Sequence, residues 1–381
     1  MNMENLRNEI DEIDDSLVKL FEKRMQSTAQ LAKYKKEHSV PVSDRTRERE
    51  IIYRMSGKVT PELAGYTKSL YNTLFDLSKS YQNSLISPES KLASEIKKSL
   101  EGSEKLFPER AVVACQGTEG AYSQFACDRM FKYPEIMYVN SFDSVFEAVG
   151  RGLCRYGILP LENSTAGSVT AVYELMQKHK FYIVGSIKLC ISHSLLAAPG
   201  VRLDGVKEIF SHEQAINQCS KFLSELKDVK ITVCANTAEA AKSVADFGRT
   251  DCAAICSGDC AELYGLSEIA SGISNTENNY TRFICISKNP EIYPGADRTS
   301  LMMTLPHKPG SLYNVLSKFY SLGINLRKLE SRPLPDREFE FMFYFDLECS
   351  VYAPEMERLF QDLDEESEYF RYLGTYNEVI C

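Results

Sequence analysis

The sequence of 381 residues contains no tryptophan and only five histidines. No two cysteines are spaced CxxC. None of His38, His179, His193, His212 and His307 is spaced with a cysteine as a zinc site requires, so no metal is expected. Cys252, Cys256 and Cys260 recur at four-residue steps and read as small buried residues where a strand meets a helix. No apolar run approaches the roughly 18 residues of a membrane span, and residues 1–12 lack the apolar stretch of a signal peptide. An excess of positive charge is also missing. Lys and Arg number 44 against 53 Asp and Glu, a net charge of −9, which argues against a nucleic-acid or membrane-surface role. These absences lead to the expectation of a cytoplasmic chain whose 12 cysteines stay reduced.

What is present divides into textures of different kind. Residues 1–84 read as helix throughout. Leu6, Ile10, Ile13, Leu17 and Leu20 recur at spacings of 4, 3, 4 and 3, and no Gly or Pro interrupts the pattern before residue 38. A helix of that length implies a partner. A second helix is expected from Asp44 to Ser56 and a third from Pro61, with Thr60 as its cap. Residues 87–108 are polar and read as a linker with a short helix. From Arg110 onward, β-rich runs alternate with helical patterns, which implies parallel sheets. After Pro294 the order becomes strand, helix, strand, strand, helix, strand, a ferredoxin-like βαββαβ arrangement. The fold class is thus multidomain: all-α, then α/β, then α+β. The expected boundaries are 1–86, a linker over 87–108, 109–292 and 297–381.

On the first helix Arg24 and Lys35 are 11 residues apart, close to three turns, so they share a face about 16 Å apart along the axis. Arg7 lies about 25 Å from Arg24 on another face, and an antiparallel partner helix would bring it to the same place. Asp44, Arg47 and Glu48, then Ser78 and Gln82, supply carboxylates, a further cation and an amide. A set with no nucleophile suits a reaction needing only positioning and charge stabilisation, although spacing alone equally describes a solvated helical face. The segments Leu6-Arg7, Ile13-Asp14, Lys23-Arg24, Lys33-Tyr34-Lys35 and the run from Pro41 to Glu48 resemble the all-helical chorismate mutases. The resemblance implies an interlocked homodimer. Arg7 of one chain, with Arg24 and Arg47 of the other, would hold the carboxylates of chorismate. Lys35 and Gln82 would meet its ether oxygen, and Asp44 and Glu48 its ring hydroxyl, with Ser78 also lining the site.

In the middle region, polar motifs follow each expected strand: residues 116–123 (QGTEGAYS), 162–167 (ENSTAG), 211–214 (SHEQ) and 236–237 (NT). Helix starts carry free N–H groups, and corners at the carboxyl ends of parallel strands converge on one cleft. Each corner taken alone is equally a turn or a cap, and His212 alone reads as structural. Residues 278–283 (NNYTRF) add amides, a hydroxyl and a guanidinium. In this order the motifs resemble prephenate dehydratase over roughly 110–288. That resemblance implies two α/β lobes around a cleft, like periplasmic binding proteins, and loss of carbon dioxide and water without a cofactor. Thr281 would act at the departing hydroxyl, helped by Asn163, Glu162 and Gln214. Arg282, Thr118, Ser123, Ser164, Ser211 and His212 would bind substrate. Asn275, and Cys256-Ser257-Gly258, depart from the residues usual in that family.

Finally, residues 307–312 (HKPGSL) and 330–333 (ESRP) resemble the amino-acid-binding ACT domain. The resemblance implies that Gly310, Ser311, Leu312, Glu330, Ser331 and Arg332 bind phenylalanine between paired domains and inhibit the enzyme. The whole chain therefore resembles the bifunctional chorismate mutase/prephenate dehydratases. The assembly would be a homodimer, with a tetramer left open, and the small-molecule partners would be chorismate, prephenate and phenylalanine. An arogenate dehydratase and a non-catalytic sensor of aromatic acids are the alternatives.

Overall fold

A computed structural model describes residues 3–86, 91–334, 340–352, 356, 359–360, 362–364 and 367–381. They form two compact units, Met1–Glu95 with Pro354–Glu366, and Ile96–Ala353 with Ser367–Cys381.

The first unit is helical. α1 (Met3–His38) runs 36 residues, as the uninterrupted stripe requires. α2 (Arg45–Ser56) is capped by Asp44, whose side chain accepts from the Arg47 amide. Thr60 makes no side-chain cap. The chain instead enters α3 (Ala64–Ile86) through a 3-10 turn at Pro61–Leu63. Only the C-terminal half of α1 is covered, with Thr28 and Ala32 its buried residues. The stripe of Leu6, Ile10, Ile13, Leu17 and Leu20 stays 42–63% exposed. The helix α4 (Lys91–Gly102) follows. Of the last helix expected from the sequence, over 354–363, residues 356, 359, 360, 362 and 363 are described and helical, and the rest lie outside the described residues.

The second unit is built on three sheets. Its first lobe contains β1 (Arg110–Gln116), α5 (Tyr122–Met130), β2 (Tyr133–Val139), α6 (Phe142–Gly150), β3 (Tyr156–Asn163), β4 (Gly167–Ser168), α7 (Thr170–Lys178) and β5 (Tyr182–Cys190). The second lobe contains β6 (Ser194–Ala197), β7 (Glu208–Ser211), α8 (Glu213–Gln218), α9 (Ser220–Glu225), β8 (Lys230–Val233), α10 (Thr237–Phe247), β9 (Cys252–Cys256), α11 (Cys260–Tyr264) and β10 (Ser267–Ala270). The chain then returns to the first lobe as β11 (Tyr280–Ser287). The C-terminal region contributes β12 (Arg298–Thr304), α12 (Ser311–Ser321), β13 (Asn325–Pro333), β14 (Phe341–Glu348), β15 (Phe370–Tyr376) and β16 (Glu378–Ile380).

Strand–helix alternation predicts parallel sheets, and the structure corrects this to mixed ones. The first sheet has the order β16-β5-β11-β3-β1-β2, with β4 on β3, and the second β10-β6-β9-β7-β8. β11 lies antiparallel between β5 and β3 because it comes from the other lobe, a direction that local patterning does not encode. Cys252 and Cys256 are buried on β9, and Cys260 opens α11.

The C-terminal sheet, β13-β14-β12-β15, packs against the first lobe. Gly374 on β15 lies so close to β5 that a Cβ there would stand 2.1 Å from the Ile183 carbonyl oxygen. The polar centre of the contact is Arg282, only 6% exposed. Its Nη1 meets Asp346 of β14 and, at 3.2 Å, Glu162 of β3. Its Nε lies 3.1 Å from Glu378 of β16, and its Nη2 donates to the Tyr376 hydroxyl at 2.7 Å. Burial opposes the charge, but the field of Asp346, with the other acids, more than offsets it and raises the pKa well above the ordinary arginine value.

Removing that cation leaves Asp346 buried without its cation, while Glu378 keeps only Lys188, at 3.0 Å. Arg282→Met is therefore expected to destabilise this unit by about 3–5 kcal/mol, read as a lowered urea midpoint. An unchanged midpoint would show that the network carries no stability.

Candidate active sites

In the helical unit, α1 and α3 bring the predicted residues together. Arg24 Nη1 donates to the Leu74 carbonyl at 3.1 Å and to Ser78 Oγ, and its guanidinium sits 5.9 Å from the Phe75 ring centroid. Lys35 Nζ donates to the Val42 carbonyl at 2.7 Å, which ties α1 to the loop before α2. Burial lowers the pKa of both cations. At Lys35 the fields of Asp44 and Glu48 oppose that shift, so both predicted carboxylates stand near the ammonium. Glu48 in turn pairs with Lys79 of α3 at 3.5 Å, a cation that sequence spacing did not single out. Gln82 is buried one turn beyond Ser78. Its Nε2 donates to the Ser78 carbonyl at 3.2 Å, and its Oε1 is buried with no partner. Arg47 is exposed and pairs with Glu50 instead of joining this set. Arg7 is exposed on the uncovered half of α1.

In the second unit, a cavity of about 440 Å³ is lined by Thr165, Ala166, His212, Glu213, Gln214 and Asn217, by Gln218, and by Ser274, Asn275, Thr276 and Asn279. Thr165, Gln218 and Asn279 of this wall join Asn163 in a closed ring of hydrogen bonds. β-Register sets Thr281 opposite Asn163 and Arg282 opposite Glu162. Asn163 Oδ1 accepts from the backbone amides of Thr165 and Ala166 at 3.0 and 2.9 Å and from Thr165 Oγ1 at 2.7 Å. That fixes which end of the amide is the donor. Asn163 Nδ2 therefore reaches Asn279 Oδ1 at 2.8 Å and Thr281 Oγ1 at 2.9 Å. Asn279 Nδ2 donates to Gln218 Oε1 at 3.1 Å, and Gln218 Nε2 returns to Thr165 Oγ1 at 3.1 Å. Thr281 is half-buried. Its oxygen is occupied as an acceptor, and its own proton remains to be given.

Several expectations are corrected. Arg282 does not face the cavity, because strand alternation turns it to the C-terminal sheet. Glu162 follows it to that face, where it pairs with Arg282 and Lys328. Ser211 is fully buried and donates to the Ile255 carbonyl at 2.7 Å, within its own sheet. Ser164 holds the crossing strand, donating to the Asn278 carbonyl at 3.2 Å and accepting from the Tyr280 amide at 2.9 Å. Ser123 is buried at the start of α5, and Thr118 Oγ1 is buried beside Tyr264; neither lines the cavity. The corner after β1 faces that after β8, across Gly117 and Asn236. Among the predicted residues, His212 and Gln214 do line the cavity, and His212 Nδ1 also caps α8 by accepting from the Gln214 amide at 3.3 Å.

Sequence spacing by itself does not point to Gln218, Asn279 or Thr165 as site residues. One signal was available for the first: Gln214 and Gln218 are i, i+4 and share a helical face. Asn275, the departure from aspartate, donates from Nδ2 to the Asn217 carbonyl at 3.1 Å and to Ser220 Oγ at 2.9 Å, and accepts from the Lys221 amide at 3.0 Å. An amide fits those partners, whereas an aspartate would set an acceptor against a carbonyl.

In the C-terminal region Gly310, at φ +88°, precedes α12, which Ser311 and Leu312 open; Ser311 Oγ is buried with no partner. On β13, Glu330 accepts from Ser168 Oγ at 2.6 Å and pairs with Arg332 at 2.9 Å. Arg332 lies 5.8 Å from the Tyr173 ring centroid, while Ser331 points to the exposed face.

Comparison with known proteins identifies the family. The chain matches the family model for chorismate mutase type II over residues 6–83 and that for prephenate dehydratase over residues 113–291. It is 37% identical over 279 residues to an arogenate dehydratase/prephenate dehydratase of Arabidopsis thaliana, covering 70% of this chain and 73% of the relative. It is 28% identical over 381 residues to the bifunctional chorismate mutase/prephenate dehydratase of Buchnera aphidicola, covering 97% and 95%. Among solved structures, a prephenate dehydratase from Arthrobacter aurescens in complex with L-Phe superposes with a TM-score of 0.64 at 27% identity, covering 70% of this chain and 89% of that one. A helical mutase unit joined to a dehydratase unit, in one chain and in this order, belongs to the bifunctional chorismate mutase/prephenate dehydratase family.

Proposed function

We propose that the chain converts chorismate to prephenate in its helical unit and prephenate to phenylpyruvate in its second unit, in a cytoplasmic setting and under inhibition by phenylalanine. The observation that carries the second reaction is the 2.9 Å contact between Asn163 Nδ2 and Thr281 Oγ1 beside the cavity. With its oxygen held by that donor, Thr281 directs its O–H toward the departing ring hydroxyl. As the carboxylate leaves as carbon dioxide, its electron pair enters the ring and expels the hydroxyl, which takes up the proton as water. The cavity wall contains no Lys or Arg among the described residues, so the substrate's charge meets the side chains of His212, Gln214, Asn217 and Thr276.

In the helical unit the rearrangement is unimolecular. Arg24 takes a carboxylate, and Lys35 with Gln82 stabilises the charge that grows on the ether oxygen. Asp44 and Glu48 keep Lys35 protonated and orient the ring hydroxyl. Arg7 completes the site from a second copy, whose α1 covers the exposed stripe, making the enzyme a homodimer.

The C-terminal βαββαβ region acts as an ACT domain, with phenylalanine held by Gly310, Ser311 and Leu312 and by Glu330, Ser331 and Arg332. Lys328 pairs with Glu162 and donates to Ser168 at 2.9 Å, so β13 is tied to the segment that carries Asn163. A ligand that shifts β13 therefore acts on that segment.

A second reading, dehydration of arogenate, is favoured by Glu213, the one carboxylate among the described lining residues, which would meet an ammonium group. Parallel assays with prephenate and arogenate decide between the two.

The purified chain is expected to turn chorismate into phenylpyruvate, less so with phenylalanine. Thr281→Ala is expected to stop at prephenate with mutase activity intact, whereas phenylpyruvate formed at the normal rate would remove Thr281 from the mechanism. Arg7→Ala and Arg24→Ala should each lose mutase activity. Mixing the two variants should restore part of it, since some dimers then hold one intact site. Absence of recovery would count against a shared site.

A further inference from the structure

The ring that holds Thr281 has one partner whose role remains to be assigned. His193 lies between β5 and β6, where the chain crosses from the first lobe to the second. It is 2% exposed. Its backbone is pinned: the amide donates to Ser274 Oγ at 3.3 Å, and the carbonyl accepts from the Ile273 amide at 3.2 Å. Tyr122 meets its ring edge-on, with centroids 6.1 Å apart. Nε2 lies 2.9 Å from Gln218 Oε1, and Nδ1 is buried with no partner.

The donor directions follow from the neighbours. Gln218 Oε1 already accepts from Asn279 Nδ2, whose own oxygen is taken by Asn163 Nδ2. The atom facing His193 is therefore an acceptor, and Nε2 must carry the hydrogen. A cationic ring would add an N–H at Nδ1, buried with nothing to receive it. Burial accordingly lowers the His193 pKa, with the bond to Gln218 acting in the opposite direction.

We propose that His193 is a positioning residue of the dehydratase site. Its Nε2–H clamps the amide of Gln218, and through the ring this holds Asn163 and Thr281 in the arrangement that aims the threonine proton at the substrate. The inference rests on the reading of Thr281 given above. His193 touches no reacting atom. It acts on rate through the closed ring, and so its loss appears in kcat more than in KM.

Two polar replacements separate positioning from packing. The Nε2 of glutamine falls near the Nε2 of histidine, whereas the Nδ2 of asparagine falls near Nδ1 and does not reach Gln218. In the full chain with prephenate, His193→Asn is expected to lower kcat on the order of tenfold while KM stays within about twofold, the scale of one lost hydrogen bond. His193→Gln is expected to retain most of kcat. Mutase activity and the thermal midpoint of each variant report folding. Equal losses in the two variants, or no loss in either, would overturn the proposal. Thr281→Ala run alongside keeps the two ideas apart: full dehydratase activity in that variant removes the premise, whereas an inactive Thr281→Ala beside indistinguishable His193 variants removes only the inference.

Discussion

The register between β3 and β11 is the constraint on which the second unit depends. It sets two neighbouring pairs side by side, Asn163 with Thr281 and Glu162 with Arg282. Side chains alternate along a strand, so the two pairs face opposite ways. One pair enters the amide ring beside the cavity. The other enters the ion network under the C-terminal sheet. A shift of one residue would exchange them, placing a charged arginine against the amide ring and a threonine opposite Asp346. The network is thus also a lock on register. Arg282 finds compensating carboxylates on only one face, and the cost of burying it elsewhere fixes the strand that presents Thr281.

The two candidate sites solve different electrostatic problems, and their composition reflects this. A rearrangement that develops charge on an ether oxygen benefits from fixed cations, and Arg24 and Lys35 are both held on α1 by contacts with α3 or the loop before α2. A substrate that releases carbon dioxide supplies its own electron pair and needs a proton at one oxygen. Neutral amides whose donor directions are all determined suit that task, because they orient a hydroxyl without lowering its acidity by adding nearby negative charge.

Much of the fold is legible in the sequence because it depends on local pattern. The stripe from Leu6 to Leu20 gives α1, and the strand–helix alternation gives the lobes. The antiparallel course of β11 is not local, and neither is the parity that decides which of Thr281 and Arg282 meets the amide ring. Both faces of that strand are covered, so the polar pattern along residues 280–283 is compatible with either orientation. The motifs identify Thr281 and Asn163, while Thr165, Gln218 and Asn279 become visible only when the register closes the ring. Ser211 and Ser164 illustrate the same limit from the other side: each is a hydroxyl beside the cleft in sequence, and each spends its hydrogen bonds on the backbone.

The N-terminal half of α1 stays uncovered in the helical unit, at an energetic cost. Each of Leu6, Ile10, Ile13, Leu17 and Leu20 is worth about 1.5–3 kcal/mol when fully buried, yet all five remain largely exposed. Propensity does not account for holding this half of α1 apart from the rest of the unit, since helical stability in proteins comes mainly from a packed face. The same half carries Arg7, some 25 Å from the cluster it would serve by helix geometry. In the proposed dimer an antiparallel copy of α1 would cover the stripe and deliver the arginine together. The long helix of that dimer would serve two sites at once, its C-terminal half supplying Arg24 and Lys35 to one and its N-terminal half supplying Arg7 to the other.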